Sequence, residues 1–201
     1  MNWLFTLDGL WHWDGRLADM ALWIVRHAKP LIDPGICYGA LDIEADAAAT
    51  QLAACAMAKA LPFTAIVNVS PLRRCLQLME VLQTLRSDLV FTLDHRLAEM
   101  NFGIWEGVAW DAIDPQALSA WTDDFGSHRF GGVESTNSVL KRVAQVWDQA
   151  GRNKTREQVW ITHAGVARSA DLIFKGIREV SDARQWPKLA PSYGDWVTLS
   201  L

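Results

Sequence analysis

Cysteine is scarce in this chain of 201 residues. The three present, Cys37, Cys55 and Cys75, share no metal-ligand spacing. An odd, scattered set offers no disulfide framework and fits a reducing, cytoplasmic setting. No run approaches the roughly 20 apolar residues that cross a bilayer, so a membrane partner is not expected. An excess of positive charge is missing too: the net charge is −4. That argues against nucleic acid as a partner, because general nucleic-acid binders show a basic face. It leaves room for a small cationic cleft, which a few arginines can dominate. HExxH and paired Cys/His ligand patterns are absent, so no metal or other cofactor is expected.

The first nineteen residues also lack something, namely the basic start and continuous apolar core of a secretory signal. Trp3, Trp11 and Trp13 are interrupted by Asp8 and Asp14. Residues 1–19 read either as a dispensable extension before Met20 or as a tryptophan-rich flap. Residues 20–201 read as one domain, a size that buries a real core.

Within that domain, short apolar runs alternate with helical patterns. Ala21–Val25, Ala65–Val69, Val90–Leu93, Gln158–Thr162 and Trp196–Leu201 read as strands. An alanine-rich stretch from Asp46 to Leu61 predicts a helix that stops near Pro62. Ser70-Pro71 reads as a helix start, with serine as the cap and proline at the first position. Leu72, Cys75, Leu76, Met79 and Leu82 then recur at helical spacing. Val139 to Trp147 marks another amphipathic helix, and a last one runs from Gly165 to about Lys175. Alternating strands and helices imply an α/β fold, a three-layer α/β/α sandwich with a mostly parallel sheet and helices on both faces. The less regular segment from Trp105 to Gly132 sits where a cap over a site can be built.

Three strand ends deliver polar residues that core packing would not choose. Arg26-His27 ends the first strand, Arg73-Arg74 opens the helix after the second, and His163 ends a late one. In open α/β sheets, ligands gather at the carboxyl ends of strands, where helix starts add donors suited to phosphate. One histidine so placed is more often structural than catalytic. Two of them with arginines alongside make a narrower coincidence.

The motifs Leu22-Trp23-Ile24-Val25-Arg26-His27-Ala28, Cys37-Tyr38-Gly39-Ala40-Leu41-Asp42 and Ser70-Pro71-Leu72-Arg73-Arg74-Cys75 are followed by two more. These are Arg96-Leu97-Ala98-Glu99-Met100-Asn101-Phe102-Gly103-Ile104-Trp105-Glu106-Gly107 and Thr162-His163-Ala164-Gly165. In this order they resemble the histidine phosphatase superfamily, which includes the cofactor-dependent phosphoglycerate mutases and the α-ribazole phosphatases. The resemblance implies a phosphoglycerate mutase-like fold and a metal-independent, histidine acid-type phosphatase acting on a small phosphomonoester. It matches His27 to the nucleophile, Arg26 to its neighbouring arginine and Arg74 to the phosphate-binding arginine. His163 matches the second histidine at the phosphate, and Glu99 the proton donor. Arg26, Arg74 and His163 are thereby expected to bind substrate, together with Tyr38, Gly39 and Ala164. Ala28 departs from the family pattern, which has glycine there, and Lys29-Pro30 departs from the common acidic residue and threonine. Both changes bear on subfamily more than on activity.

The chemistry is coherent on its own terms. An imidazole attacks phosphorus only when one ring nitrogen holds a free lone pair, so His27 must be neutral. Arg26 and Arg74 are expected to disfavour its protonated form, and their guanidiniums suit bidentate contact with phosphate oxygens. Attack gives a phosphohistidine that water hydrolyses, splitting one hard step into two. Glu99 is expected to protonate the leaving alkoxide and then to activate the water. Arg73 is expected to face solvent or make a salt bridge.

From Met100 to Ser127 there is no Lys or Arg, whereas Glu106, Asp111, Asp114, Asp123 and Asp124 are acidic. A doubly phosphorylated acid is expected to be repelled there, which favours a phosphatase over a mutase. Phe102, Trp105, Trp110, Trp121 and Phe125 either pack the cap or stack on an aromatic leaving group. The short cap, the Cys37–Asp42 stretch and Gly131-Gly132-Val133-Glu134-Ser135 look most like the α-ribazole phosphatase branch, which implies α-ribazole 5′-phosphate as substrate and a place in cobalamin biosynthesis. A broad sugar- or nucleotide-phosphate phosphatase, a phosphoglycerate mutase, a phosphoprotein phosphatase and a non-catalytic phosphate-binding module stay as alternatives. A homodimer is left open.

Overall fold

The structure, a computed structural model, describes residues 20–153 and 155–201, together with two short strands at 3–5 and 11–13. Those two, β1 (Trp3–Phe5) and β2 (Trp11–Trp13), form an antiparallel pair. The reading of residues 1–19 as an extension or flap otherwise lies outside the described residues.

Five strands make the main sheet: β3 (Ala21–Arg26), β4 (Ile66–Val69), β5 (Val90–Leu93), β6 (Gln158–Thr162) and β7 (Trp196–Ser200). Their spatial order is β5-β4-β6-β3-β7, parallel except for β7, which runs antiparallel to β3. Helices α1 (Ala47–Ala60) and α2 (Arg73–Leu85) cover one face, and α4 (Thr136–Arg152) and α5 (Ala164–Phe174) the other. The short α3 (Pro115–Asp123) lies in the cap. This is the expected three-layer sandwich.

Strand alternation explains the two-sided core, because successive side chains point to opposite faces. From β3, Leu22 and Ile24 pack toward α4 and α5, whereas Val25 packs toward α1 and α2. From β6, Trp160 goes one way and Val159 and Ile161 the other, and every residue of that strand is buried. Each such side chain contributes about 1.5–3 kcal/mol on leaving water. Caps set the helix starts. Asp46 accepts from the Ala49 amide at 2.7 Å, and Ser135 forms a reciprocal capping box with Ser138.

One boundary differs from expectation. Helix α2 begins at Arg73 with no side-chain cap, so Ser70 is not its N-cap residue. The Ser70 hydroxyl lies 2.7 Å from His163 Nε2 instead, and that partner draws it out of the capping role.

Candidate active site

Strands β3 and β6 are parallel neighbours with Arg26 opposite Thr162. Their carboxyl ends therefore set His27 and His163 side by side, with ring centres 5.0 Å apart. Because β4 flanks β6 on the other side, the first turn of α2 brings Arg74 to the same edge. All three side chains are buried: Arg74 is 0 % exposed, His163 1 % and His27 2 %.

A buried guanidinium is costly unless every donor finds a partner. Arg74 donates through one terminal nitrogen to the Leu41 carbonyl at 2.9 Å and through the other to the Gly39 carbonyl at 2.6 Å. Its Nε–H points at both histidines, 3.2 Å from His27 Nε2 and 3.2 Å from His163 Nδ1. The fork is thus held by backbone, and the edge facing the histidines is Nε.

The His27 tautomer follows from its other nitrogen. Nδ1 lies 2.7 Å from the Ala28 carbonyl, an acceptor only, so Nδ1 carries the proton and Nε2 the lone pair. The ring is held neutral, with its pKa lowered to about 3, chiefly by burial and then by the charges of Arg74 and Arg26. Sequence reasoning named the arginines and missed burial, the larger cause. His163 is likewise pushed well below the ordinary histidine value by burial and then by Arg74. Its Nδ1 accepts from Arg74, which makes Nε2 the donor to Ser70.

A stability prediction follows from these two directions. In the unfolded chain each histidine takes up a proton near 6.5, and in the folded protein neither does until the pH is far lower. The unfolded state therefore binds more protons as pH falls. Stability is fully present above pH 6.5 and is lost as pH drops toward about 3 for His27. Between pH 6.5 and 5, before carboxylates titrate, denaturant titrations should show a loss of up to about 1.4 kcal/mol per pH unit per histidine. His27→Gln should roughly halve that slope; an unchanged slope would contradict the burial of a neutral ring.

Glu99 faces the same centre. Its carboxylate accepts from the Gly165 amide at 2.9 Å, at the start of α5, and from its own neighbour Met100 at 3.1 Å. A Cβ on Gly165 would lie 2.3 Å from Glu99 Oε1, so only glycine lets the carboxylate sit here. Behind Glu99, Arg142 donates to the carbonyls of Arg96, Ala98 and Glu99 at 2.7, 2.6 and 3.2 Å while pairing with Glu134 at 2.9 Å.

A cavity of about 310 Å³ opens onto this cluster, lined by Arg26, His27, Tyr38, Glu99 and Ala164 among the expected residues. Arg74 and His163 are not on its lining. Gly39, expected to touch substrate, is absent from the lining; its carbonyl is spent on Arg74 and its Cα hydrogen faces the Met100 carbonyl, where a Cβ would lie only 1.8 Å away. Arg26 donates to the Pro191 carbonyl at 3.1 Å and lies 3.8 Å over the Tyr193 ring, whose hydroxyl is 2.8 Å from that of Tyr38. Arg73 pairs with Glu44 at 3.3 Å at the surface.

The rest of the lining is largely aromatic: Phe102, Trp110, Trp121, Phe125 and Trp186. These rings pack the cap, and all five also line the cavity. Trp121 and Trp110 stack on the fully buried Phe130, with centroids at 4.5 and 6.0 Å, and Phe102 meets it edge-on. Trp105 also stacks on Phe130 but stays out of the cavity. Glu99 is the one acid on the lining among the described residues. Asp111, Asp114, Asp123 and Asp124 are exposed, and Asp114 caps α3. The expected repulsion of a second phosphate by cap acids therefore has no geometric basis in the cavity. Arg168, one turn beyond Gly165, adds a second guanidinium to the wall, beside that of Arg26. Sequence reasoning missed it, although its place on the face of α5 that carries Gly165 was a usable signal.

The model of the histidine phosphatase superfamily (branch 1) matches residues 22–187. The chain belongs to that family. Among solved structures it is similar to mycobacterial glucosyl-3-phosphoglycerate phosphatase Rv2419c with VO3, at 25 % identity and a TM-score of 0.73, covering 90 % of this chain and 92 % of that one. TTHB049 from Thermus thermophilus matches at 26 % identity and a TM-score of 0.65, over 90 % of this chain and 93 % of that one. A structure called mycobacterial hydrolase 1 shares the fold at 24 % identity and a TM-score of 0.75, over 90 % and 91 %. No curated protein sequence matches. Family and neighbours together support a phosphatase. None of the described helices is long and apolar enough to cross a membrane.

Proposed function

We propose that this member of the family hydrolyses a small phosphomonoester through a phosphohistidine on His27, without a metal ion. The observation that carries the reading is the Arg74 Nε–H placed 3.2 Å from both His27 Nε2 and His163 Nδ1. It puts the lone pair of a neutral imidazole beside a fixed positive charge, where a phosphoryl group is both attracted and attacked. Arg26 and His163 contact the phosphate with Arg74, and Tyr38 and Ala164 border it. Glu99 protonates the leaving oxygen.

The leaving group we propose carries a flat, apolar base matched to Phe102, Trp110 and Trp121, and α-ribazole 5′-phosphate is the specific substrate, in cobalamin biosynthesis in the cytoplasm. A sugar phosphate is the second reading, favoured by the likeness to glucosyl-3-phosphoglycerate phosphatase. A panel of kcat/KM values with α-ribazole 5′-phosphate, glucosyl-3-phosphoglycerate, 3-phosphoglycerate, nucleoside monophosphates and a phosphopeptide tests both. The expected result is a preference for α-ribazole 5′-phosphate of at least about tenfold, a difference of about 1.4 kcal/mol at the transition state. A higher value for the sugar ester would replace it. Chelator should leave the rates unchanged, and strong inhibition by it would sink the metal-independent mechanism.

A further inference from the structure

We infer that Glu106 is a positioning residue for Arg74, acting through the peptide group that joins Gly39 to Ala40. The inference rests on the phosphatase reading and deepens it. Glu106 Oε1 accepts from the amides of Ala40 at 2.9 Å and Phe102 at 2.8 Å, and Oε2 accepts from those of Gly39 and Leu41, both at 2.9 Å. Four donors converge on one carboxylate, which saturates it.

The geometry beyond those bonds matters more. The amide of Ala40 and the carbonyl of Gly39 are two ends of one peptide group. At one end sits the Glu106 carboxylate; at the other, 2.6 Å away, is a terminal nitrogen of Arg74. The peptide dipole is aligned with both charges, its N–H toward the anion and its oxygen toward the cation. Each bond polarises the next in a buried setting. The second carbonyl on Arg74 belongs to Leu41, whose amide Glu106 also holds. Both acceptors that orient the guanidinium are thus carried on residues fixed by Glu106.

Arg74 has no carboxylate within salt-bridge distance among the described residues. Through this loop an anion compensates the buried cation without neutralising it at close range, and Nε stays directed at the histidines. The loop has little freedom to shift, because Gly39 is wedged against the Met100 carbonyl. Glu106 touches neither substrate nor the reacting atoms and works through Arg74.

A double-mutant cycle with Glu106→Gln and Arg74→Lys tests this, read as kcat/KM with 4-nitrophenyl phosphate and as inhibition by vanadate. In Glu106→Gln an amide NH2 replaces one acceptor oxygen and faces two N–H donors. Expected is a fall in kcat/KM and a weakening of vanadate by about 10- to 100-fold, the size of lost hydrogen bonds to a charged group. Glu106→Asp should recover part of it. The double variant should be no worse than Arg74→Lys alone within about twofold, because the two act as one unit. Multiplying effects, or a Glu106→Gln enzyme within twofold of wild type, would overturn the inference. If Glu106→Gln does not fold, Glu106→Asp takes its place in the cycle with the same outcomes. A wild-type protein that neither hydrolyses phosphomonoesters nor binds vanadate would sink the phosphatase reading instead. Nuclear magnetic resonance then decides on Glu106: the Arg74 Nε–H should exchange slowly in wild type and fast in the variant, and equal rates would count against the role.

Discussion

His27→Ala is expected to abolish the acid-labile phosphoenzyme and to cut kcat by about 10⁴- to 10⁶-fold, the range for removing a covalent nucleophile. Rapid quench with labelled substrate reads the first effect and steady-state assays the second. The physical ground is that no other lone pair at this centre is prepared for the attack. His163 has Nδ1 turned to Arg74 and Nε2 to Ser70, and it is not on the cavity lining, whereas His27 is. The Cys75 thiol, 3.5 Å from His163, is fully buried and pushed up to about 12, so it supplies no thiolate near neutral pH. The substitution leaves Arg26 and Arg74, the proposed phosphate grip, in place, so inorganic phosphate should still bind within about tenfold while turnover is lost. A phosphoenzyme that persists in His27→Ala would remove His27 from the mechanism.

Glu99→Gln carries the next largest expectation, a loss of about 10²- to 10⁴-fold in kcat on an alkyl phosphate, the usual yield of general acid–base catalysis. The loss should depend on the leaving group. A nitrophenolate departs without a proton, so the first step with 4-nitrophenyl phosphate needs Glu99 far less than an alkoxide does. Comparing the two esters by kcat/KM, which stops at the phosphohistidine and leaves out the water step, separates proton donation from a structural effect, since misfolding would slow both alike. Gly165→Ala should mimic the pattern, because its Cβ would displace the Glu99 carboxylate while leaving His27 and Arg74 in place. Equal losses on both esters would overturn the assignment of Glu99 as proton donor.

The legible part of this protein was periodicity. The apolar runs of β3, β4 and β6 and the helical spacing of α2 and α4 can be read directly because each element buries a face fixed by its own geometry. The motif order likewise pointed to His27, Arg26, Arg74, Glu99 and His163, and the structure brings them to one sheet edge. What stayed hidden depended on long-range partners. Ser70-Pro71 has the pattern of a helix cap, yet its hydroxyl turns to a histidine 93 positions later. Glu106 looks in the sequence like one more cap acid, although its oxygens hold amides 65 to 67 positions earlier. Phe130, the fully buried centre of the aromatic cap, stands outside the aromatic cluster visible in the chain. Burial of His27 outweighs the arginines, and no local pattern reports it.

Strand order has one more consequence, for the birth of the protein. His27 is made before most of the sheet, but its strand β3 is bordered by β6 and β7, which are made after every other strand of the sheet. Until Trp196–Ser200 has paired, β3 has one neighbour too few and His27 at its end no settled place. Contacts so distant along the chain close slowly. The proposed catalytic centre therefore takes shape only once the last strands of this sheet are made.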